Sequence, residues 1–332
     1  MLASMPRELP PSCRELAEFQ CGVLTRGQAL EGGLSPDAVF RLVRSSRWQP
    51  LQRGVYAVVP GAAFSGAPFS AAPTREAMLW AMLQRAGRDA VLSHQTAAEL
   101  YRLSDRPSSL VHLTIPPDRH IATIPGTVIH RSGRVPISRH PSLLPPRTRI
   151  EETVLDLAGQ ATVFDDAFNW ACAACQRRLT TADRLLTAMR LRKKMRWRAE
   201  LTAALAEIGD GAHSMLEYRY VRQVERPHRL PRADRQARVV RGGRSSYRDN
   251  LYADYLLCVE LDGRSAHPDD RRWQDIHRDN AAAVDGLLTL RYNWADVTQH
   301  PCETALEIGA VLQQRGWAGA LRRCGPACAI PR

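Results

Sequence analysis

The run YRDNLYADYLLCVELDGRSAH, residues 247–267, constrains the fold more than any other. Its apolar and aromatic residues suit a sheet, yet Asp249, Asp254, Glu260 and Asp262 are set among them. An ionised carboxylate taken out of water is costly unless a cation or a set of donors compensates it. YRDNLY and YLLCVELDG each read as a strand, and Ala253-Asp254 between them as turn chemistry. Antiparallel pairing about residues 254 and 255 sets position 249 opposite position 260. A period of two then sends Glu260 and Asp262 to one face and Val259 and Leu261 to the other, as core. Asp249, Glu260 and Asp262 would converge, and a hard divalent cation would relieve their repulsion: Mg2+, with Mn2+ as an alternative. Asp254 is assigned to the turn, although a shifted register would make it a ligand instead.

The flanks extend this unit. HSMLEYRYVRQV begins a helix in which Glu217 stands three residues after Ser214, the spacing of a capping box. That spacing gives Glu217 a structural role to weigh against a chemical one. DDRRWQDIHRDNAAAVDG reads as a helix ending at Gly286, with Asp275, Arg278 and Asp279 on one face, where surface ion pairs would also explain them. LLTLRYNWADV supplies a further strand, and HPCETALEIGAVLQQRGW a closing helix with Pro301 near its start. The order is helix, hairpin, helix, strand, helix.

Residues 13–59 read as short helices followed by a hairpin. Thr25 caps one helix, and Ser35 caps the next, whose first position is Pro36. That second helix turns Val39, Leu42 and Val43 inward and leaves Arg41 and Arg44 outside. RWQPLQRGVYAVV folds back at Arg53-Gly54. This is the order of a winged helix-turn-helix, whose second helix enters the major groove while its wing meets phosphate. Arg41, Arg44 and Arg53 are thus candidate DNA contacts, though a winged helix that only packs a domain would show the same pattern. After the linker PGAAFSGAPFSAAP, residues 74–160 mix helices with strands, and residues 150–208 are mainly helical. His94, His112 and His130 are scattered without metal-ligand spacing and read as capping or packing residues. In MRLRKKMRWR, six of ten residues are Arg or Lys. Arg192, Lys193, Lys194, Arg196 and Trp197 can track phosphates and stack on a base, unless the segment is simply the solvated face of a helix.

Charge supports a polyanionic partner. The net charge is +12, which favours DNA before other partners. Only two of the 46 basic residues are lysines, so arginine-rich codon usage would raise the same surplus. The eight cysteines are expected as thiols or metal ligands in a reducing compartment. Cys172 and Cys175 fall in an alanine-rich helix as buried thiols. Cys302 with the CGPAC turn, Cys324 and Cys328, is a better zinc candidate, but no fourth ligand is evident, so structural Zn2+ is not expected. No apolar run reaches the roughly 18 residues that span a bilayer, and the first 19 residues hold no apolar signal core. The expectation is a cytoplasmic protein with no membrane partner. GxxxxGK[ST], HExxH and GxSxG are absent, which leaves ATP use, zinc-protease chemistry and an elbow serine without support.

Several motifs resemble known families. GVLTRGQALEGGLS and LQRGVYAV resemble the N-terminal domain of abortive-infection type IV antitoxins, and LSHQTAAELYRL, VHLTIPP and VIHRS resemble their central part. SMLE, RDNLYADYLLCVELDG, His267, DIHRDN and LTLRYNWADV resemble the restriction-endonuclease-like fold of the PD-(D/E)XK nucleases, within it the family related to very-short-patch repair endonucleases. The resemblances imply a multidomain α+β and α/β protein. Residues 1–60 would be a winged helix-turn-helix, 74–208 a mixed α/β and helical antitoxin-like region, 211–318 an α/β/α nuclease domain and 319–332 a cysteine-containing tail.

The nuclease resemblance implies that Asp249 and Glu260 bind magnesium and that Glu217 is the helix acid. Where the superfamily has lysine, this chain has Asp262. Its relatives use a nearby histidine, which points to His267. The expected function is Mg2+-dependent hydrolysis of a DNA phosphodiester. Asp262 would complete the inner or outer metal shell, His267 would act as general base or acid, Glu217 would orient water or a second ion, and Arg278 would stabilise phosphate charge. The alternatives are a non-catalytic DNA-binding regulator and a partner of a cognate toxin. The oligomeric state is left open.

Overall fold

A computed structural model of the chain describes residues 9–58, 72–104, 107–209, 214–241, 244–262, 284 and 286–331. Among them thirteen α-helices and three small sheets make a mixed α+β protein. The chain divides into two compact units, residues 1–157 and 158–332.

The first unit opens with α1 (Pro11–Phe19), β1 (Val23–Thr25), α2 (Arg26–Glu31), α3 (Pro36–Arg44), β2 (Gln49–Gln52) and β3 (Val55–Ala57). Both expected caps form. Thr25 and Gln28 make a reciprocal capping box at α2, and the Ser35 hydroxyl accepts from the amide of Ala38 at 3.1 Å. Gly54, at φ +74°, turns β2 into β3. β1, unseen in the sequence, pairs with the far side of β3 and completes an antiparallel sheet of order β1-β3-β2. Val39 and Leu42 of α3 are buried with Trp48 and Leu24.

A second sheet joins β4 (Val91–Leu92), β5 (Val111–Ile115) and β6 (Thr127–Arg131), antiparallel then parallel. Between the two sheets lies α4 (Arg75–Ala86), buried on several sides because Leu79, Trp80, Ala81 and Leu83 leave it no polar stripe. It packs on Val23 and Val55 of one sheet and on Val111, Leu113 and Ile115 of the other. One core therefore spans the segments that the sequence separates at residues 60–73. Helices α5 (His94–Leu100), α6 (Val135–Ser138) and α7 (Ile150–Gln160) complete this part of the chain.

The second unit carries α8 (Phe164–Gln176), α9 (Ala182–Arg190), α10 (Arg198–Gly209) and α11 (Met215–Arg219), which runs straight into a π-helical turn, Tyr220–Glu225. Its sheet has the order β10-β9-β8-β7, from β7 (Asp234–Arg241), β8 (Arg244–Tyr252), β9 (Leu257–Asp262) and β10 (Leu288–Asn293). β7, β8 and β9 are antiparallel to one another in turn, and β10 runs parallel to β9. Helices α12 (Trp294–Thr298) and α13 (Pro301–Gln314) follow.

β9 is an inner strand buried along all its residues but Asp262, which explains its nearly continuous apolar run. Leu257, Val259 and Leu261 pack with Tyr220, Val221 and Val224 of the π-helical turn and with Ile308 and Leu312 of α13. β7 is anchored through Arg235, whose buried guanidinium reaches Glu207 of α10 at 3.4 Å and Glu225 at 3.1 Å. The basic stretch after α9 is a connection between α9 and α10 rather than a helix face.

Candidate functional site

The site is built on the turn between β8 and β9. A 3-10 turn, Ala253–Tyr255, and a left-handed Leu256 reverse the chain. The strands then pair Tyr252 with Leu257, Leu251 with Cys258, and Asn250 with Val259. The ladder ends there, one step before the expected pairing of Asp249 with Glu260, while Val259 faces core. Asp254 lies in the turn.

Each acid finds a different compensating partner. Oδ2 of Asp249 accepts from the Leu261 amide at 2.9 Å, which ties a side chain of β8 to the backbone of β9. Oδ1 accepts from Nε2 of Gln236 on β7 at 3.2 Å. The same Nε2 donates to Oε2 of Glu217 at 3.3 Å, so one amide bridges the α11 acid and the β8 acid. Gln236 holds this position from a left-handed backbone, φ +48°, which costs a non-glycine residue energy and marks a built feature.

Ser214 caps α11 by accepting from the Glu217 amide at 3.1 Å, and its hydroxyl also contacts Oε1 of Glu217 at 3.2 Å. Glu217 is buried, with one oxygen at the cap and the other facing the strands. One side chain thus reaches both the helix cap and Gln236 of β7.

Glu260 is buried as well. Its Oε1 accepts from Nη1 of Arg248 at 3.3 Å and lies 3.4 Å from the Cys258 thiol. Burial pushes the Cys258 thiol up, and the carboxylates of Glu260 and, more weakly, Asp249 push it the same way. Asp262 is half-exposed and pairs with Arg291 of β10 at 3.0 Å. Among the described residues these acids do not bring three ligand oxygens within 4.8 Å of one another. The charge problem posed by the sequence is met instead by a guanidinium at Glu260, amides at Asp249 and an ion pair at Asp262.

The other candidates are placed separately. His267 and Arg278 lie outside the described residues. In the first unit Arg44 and Arg53 are exposed and Arg41 is half-buried, at the end of α3 and in the β2–β3 turn. In the basic connection Lys193, Lys194 and Arg196 are exposed and Arg192 is half-buried. Trp197 is committed to packing: its Nε1 donates to the Ala161 carbonyl at 3.1 Å, its ring lies against Phe164, and Arg196 covers it at 4.8 Å.

Sequence reasoning missed Gln236 and Arg248, since neither amide nor guanidinium carries a motif. It also missed how folding gathers the first unit's histidines. His94 and His130 stack with centroids 3.7 Å apart, and Nδ1 of His112 lies 3.0 Å from Nε2 of His130. Burial, with His112 beside it, pushes His130 down to about 4. Two groups of possible metal ligands close to within 4.8 Å among the described residues: these three histidines, and His228 with Cys302, Cys324 and Cys328. No helix of the described residues is long and apolar enough to cross a membrane. Comparison of the chain with protein-family models and with curated proteins found no match.

Proposed function

We propose that the second unit is a divalent-metal-dependent endodeoxyribonuclease of the restriction-endonuclease-like kind, and that the first unit supplies DNA contacts through α3 and the β2–β3 hairpin as a winged helix-turn-helix. One observation carries this reading. Carboxylates from a helix and a strand, Glu217 and Asp249, share a single donor atom, and the neighbouring strand β9 carries the buried Glu260 carboxylate. The donor set fits magnesium or manganese in kind, being hard carboxylate oxygens at a buried strand junction. Asp249 and Glu260, with Glu217, would hold the ion once Gln236 and Arg248 give way. A bound ion would polarise the phosphate and lower the pKa of a water.

The chain's own residues supply the rest. The Leu261 amide fixes the orientation of Asp249. Arg248, once displaced from Glu260, would leave a cation free to meet the phosphate, on a strand next to the one where the resemblance expects lysine. Asp262, held by Arg291 toward solvent, stands at the rim, and His267 and Arg278 keep the roles of proton carrier and phosphate contact in this reading.

A second reading has its own observation. Glu260 is ion-paired to Arg248 and Gln236 closes the gap between Glu217 and Asp249, as expected of a nuclease-like domain retained for binding in a DNA-binding regulator, with or without a cognate toxin. Plasmid nicking separates the two. Supercoiled DNA with Mg2+ or Mn2+ should be nicked by the wild type, and Asp249→Ala or Glu260→Ala should lower the rate at least about a hundredfold. Specific retardation of DNA without cleavage under either ion would favour the regulator.

A further inference from the structure

The C-terminal tail closes on the second unit through a cluster that the catalytic reading does not use. The π-helical turn Tyr220–Glu225 ends just before His228, which is fully buried. Its Nδ1 lies 2.8 Å from the Val224 carbonyl, so Nδ1 carries the proton and Nε2 presents a lone pair. That Nε2 is buried and has no hydrogen-bond partner. A buried imidazole nitrogen with its tautomer fixed by a backbone carbonyl is how proteins orient a metal-binding histidine. Cys302, Cys324 and Cys328 surround it, all ligand atoms lying within 4.8 Å of one another.

The surrounding chain is arranged for this closure. Cys302 is the second residue of α13, at the N-terminal end of that helix. The Arg322 amide donates to the His228 carbonyl at 2.9 Å and brings the tail alongside. Gly325 and Pro326 turn the chain between Cys324 and Cys328, with the Cys328 amide bonded to the Gly325 carbonyl at 3.2 Å. Upstream, Leu321 seats against Gly309 of α13 so closely that a Cβ there would meet it at 2.7 Å. All eight cysteines are free, and the sulfurs of Cys302 and Cys324 lie 3.5 Å apart. Thiolates about 2.3 Å from a zinc ion at tetrahedral angles sit about 3.8 Å from each other.

We propose that His228, Cys302, Cys324 and Cys328 form a Cys3His structural zinc site that staples the C-terminal tail to α13 and to the end of the π-helical turn. Four protein ligands close the tetrahedron, so the ion takes no substrate and serves stability. This site is independent of the nuclease reading, and its test reads metal and thiols rather than cleavage. The full chain, purified without chelator under reducing conditions, should hold one zinc ion per chain by elemental analysis. Replacing zinc by cobalt should give thiolate-to-metal charge transfer and the intense visible bands of a tetrahedral centre. Cys324→Ser, at an exposed position, should fold and bind zinc at least about 100-fold more weakly, and His228→Ala should do the same. A zinc chelator should lower the melting temperature of the wild type but not of Cys324→Ser. Two results would overturn the site: reduced wild type that takes up no stoichiometric zinc or cobalt on titration, or a Cys302–Cys324 disulfide found by peptide mapping in place of metal.

Discussion

Glu260 and Arg248 face each other with both side chains almost wholly buried, 6% and 4% exposed. Such a pair gains little over apolar residues of similar size, because desolvation of both charges offsets their attraction, but removing one partner exposes the full cost of the other. Glu260→Ala should therefore destabilise the second unit by about 3 kcal/mol. The double replacement Arg248→Met with Glu260→Met should recover most of that loss in chemical denaturation. A single-variant cost below about 1 kcal/mol would mean that the carboxylate is not engaged as the structure has it. The same experiment guards the nicking assay, since a cleavage loss in Glu260→Ala is informative only where the protein remains folded. His130 offers a second residue-scale test. Its folded value is about 4 against an ordinary 6.5, from burial first and His112 second. Between those values the unfolded chain binds a proton that the folded chain refuses. Stability from this group is complete above about pH 6.5 and is lost as the pH falls toward 4. Allowing for partial exposure, the loss should be on the order of 1–2 kcal/mol. Melting at pH 7 and pH 5 should show a smaller acid-side decline for His130→Asn than for the wild type.

At the scale of elements, α13 is the firmest case. A glycine inside a helix is normally worse than alanine by about 1 kcal/mol, so Gly309→Ala would be expected to stabilise. Here the added Cβ would meet Leu321 at 2.7 Å, and the branching carbon of that side chain lies at 2.9 Å, so rotating a methyl group does not relieve the contact. Gly309→Ala should instead lower the melting temperature and raise protease cleavage after residue 316, and Leu321→Ala in the same chain should restore much of the loss. The elements that were legible in the sequence are those set by local chemistry. Thr25 and Ser35 announce their helices through caps, Arg53-Gly54 announces a hairpin, and the turn at Ala253-Asp254 sets the β8–β9 register seen from Asn250 opposite Val259 to Tyr252 opposite Leu257. β7 was hidden because Arg235 is buried by ion pairing, which defeats an apolar count. The basic stretch looked helical by composition, yet its side chains fold back onto carbonyls near helix ends, Arg198 onto Met189 and Arg196 onto Thr162. Acids in the site were readable as residue types. Their compensating partners were not, because Gln236 and Arg248 reach them only across neighbouring strands of the folded sheet. His228 was invisible as a fourth ligand for the same reason, lying 74 residues before Cys302.

For the molecule as a whole, the surplus of +12 poses the question that the fold alone does not answer: whether the arginines serve a polyanion or only solvate the surface. In the structure many arginines are already engaged. Arg235 and Arg248 are buried on carboxylates, Arg75 is paired with Glu99, and Arg134 with Glu152. Charges used in this way contribute to folding and little to a phosphate backbone. Exposed cations at element ends, Arg44 closing α3 and Arg53 in the β2–β3 turn, are the ones the proposed function assigns to contact. Counterion release separates the two kinds, because each neutralised phosphate steepens the fall of log affinity with log salt by about 0.9. Under the proposed function, Arg44→Ala and Arg53→Ala should each reduce that slope by about one and weaken binding about equally across duplex sequences. Arg75→Ala should leave the slope unchanged while lowering stability, since its charge is spent on Glu99 and the Ser108 carbonyl. Equal slopes in all three variants would mean that the positive surplus is solvated surface and that any DNA contact lies elsewhere in the chain. Were Arg44 and Arg53 silent while the alanine variant of Lys193 and Lys194 flattened the slope, the basic connection between α9 and α10 would carry the phosphate contacts, and the first unit would be left with a packing role.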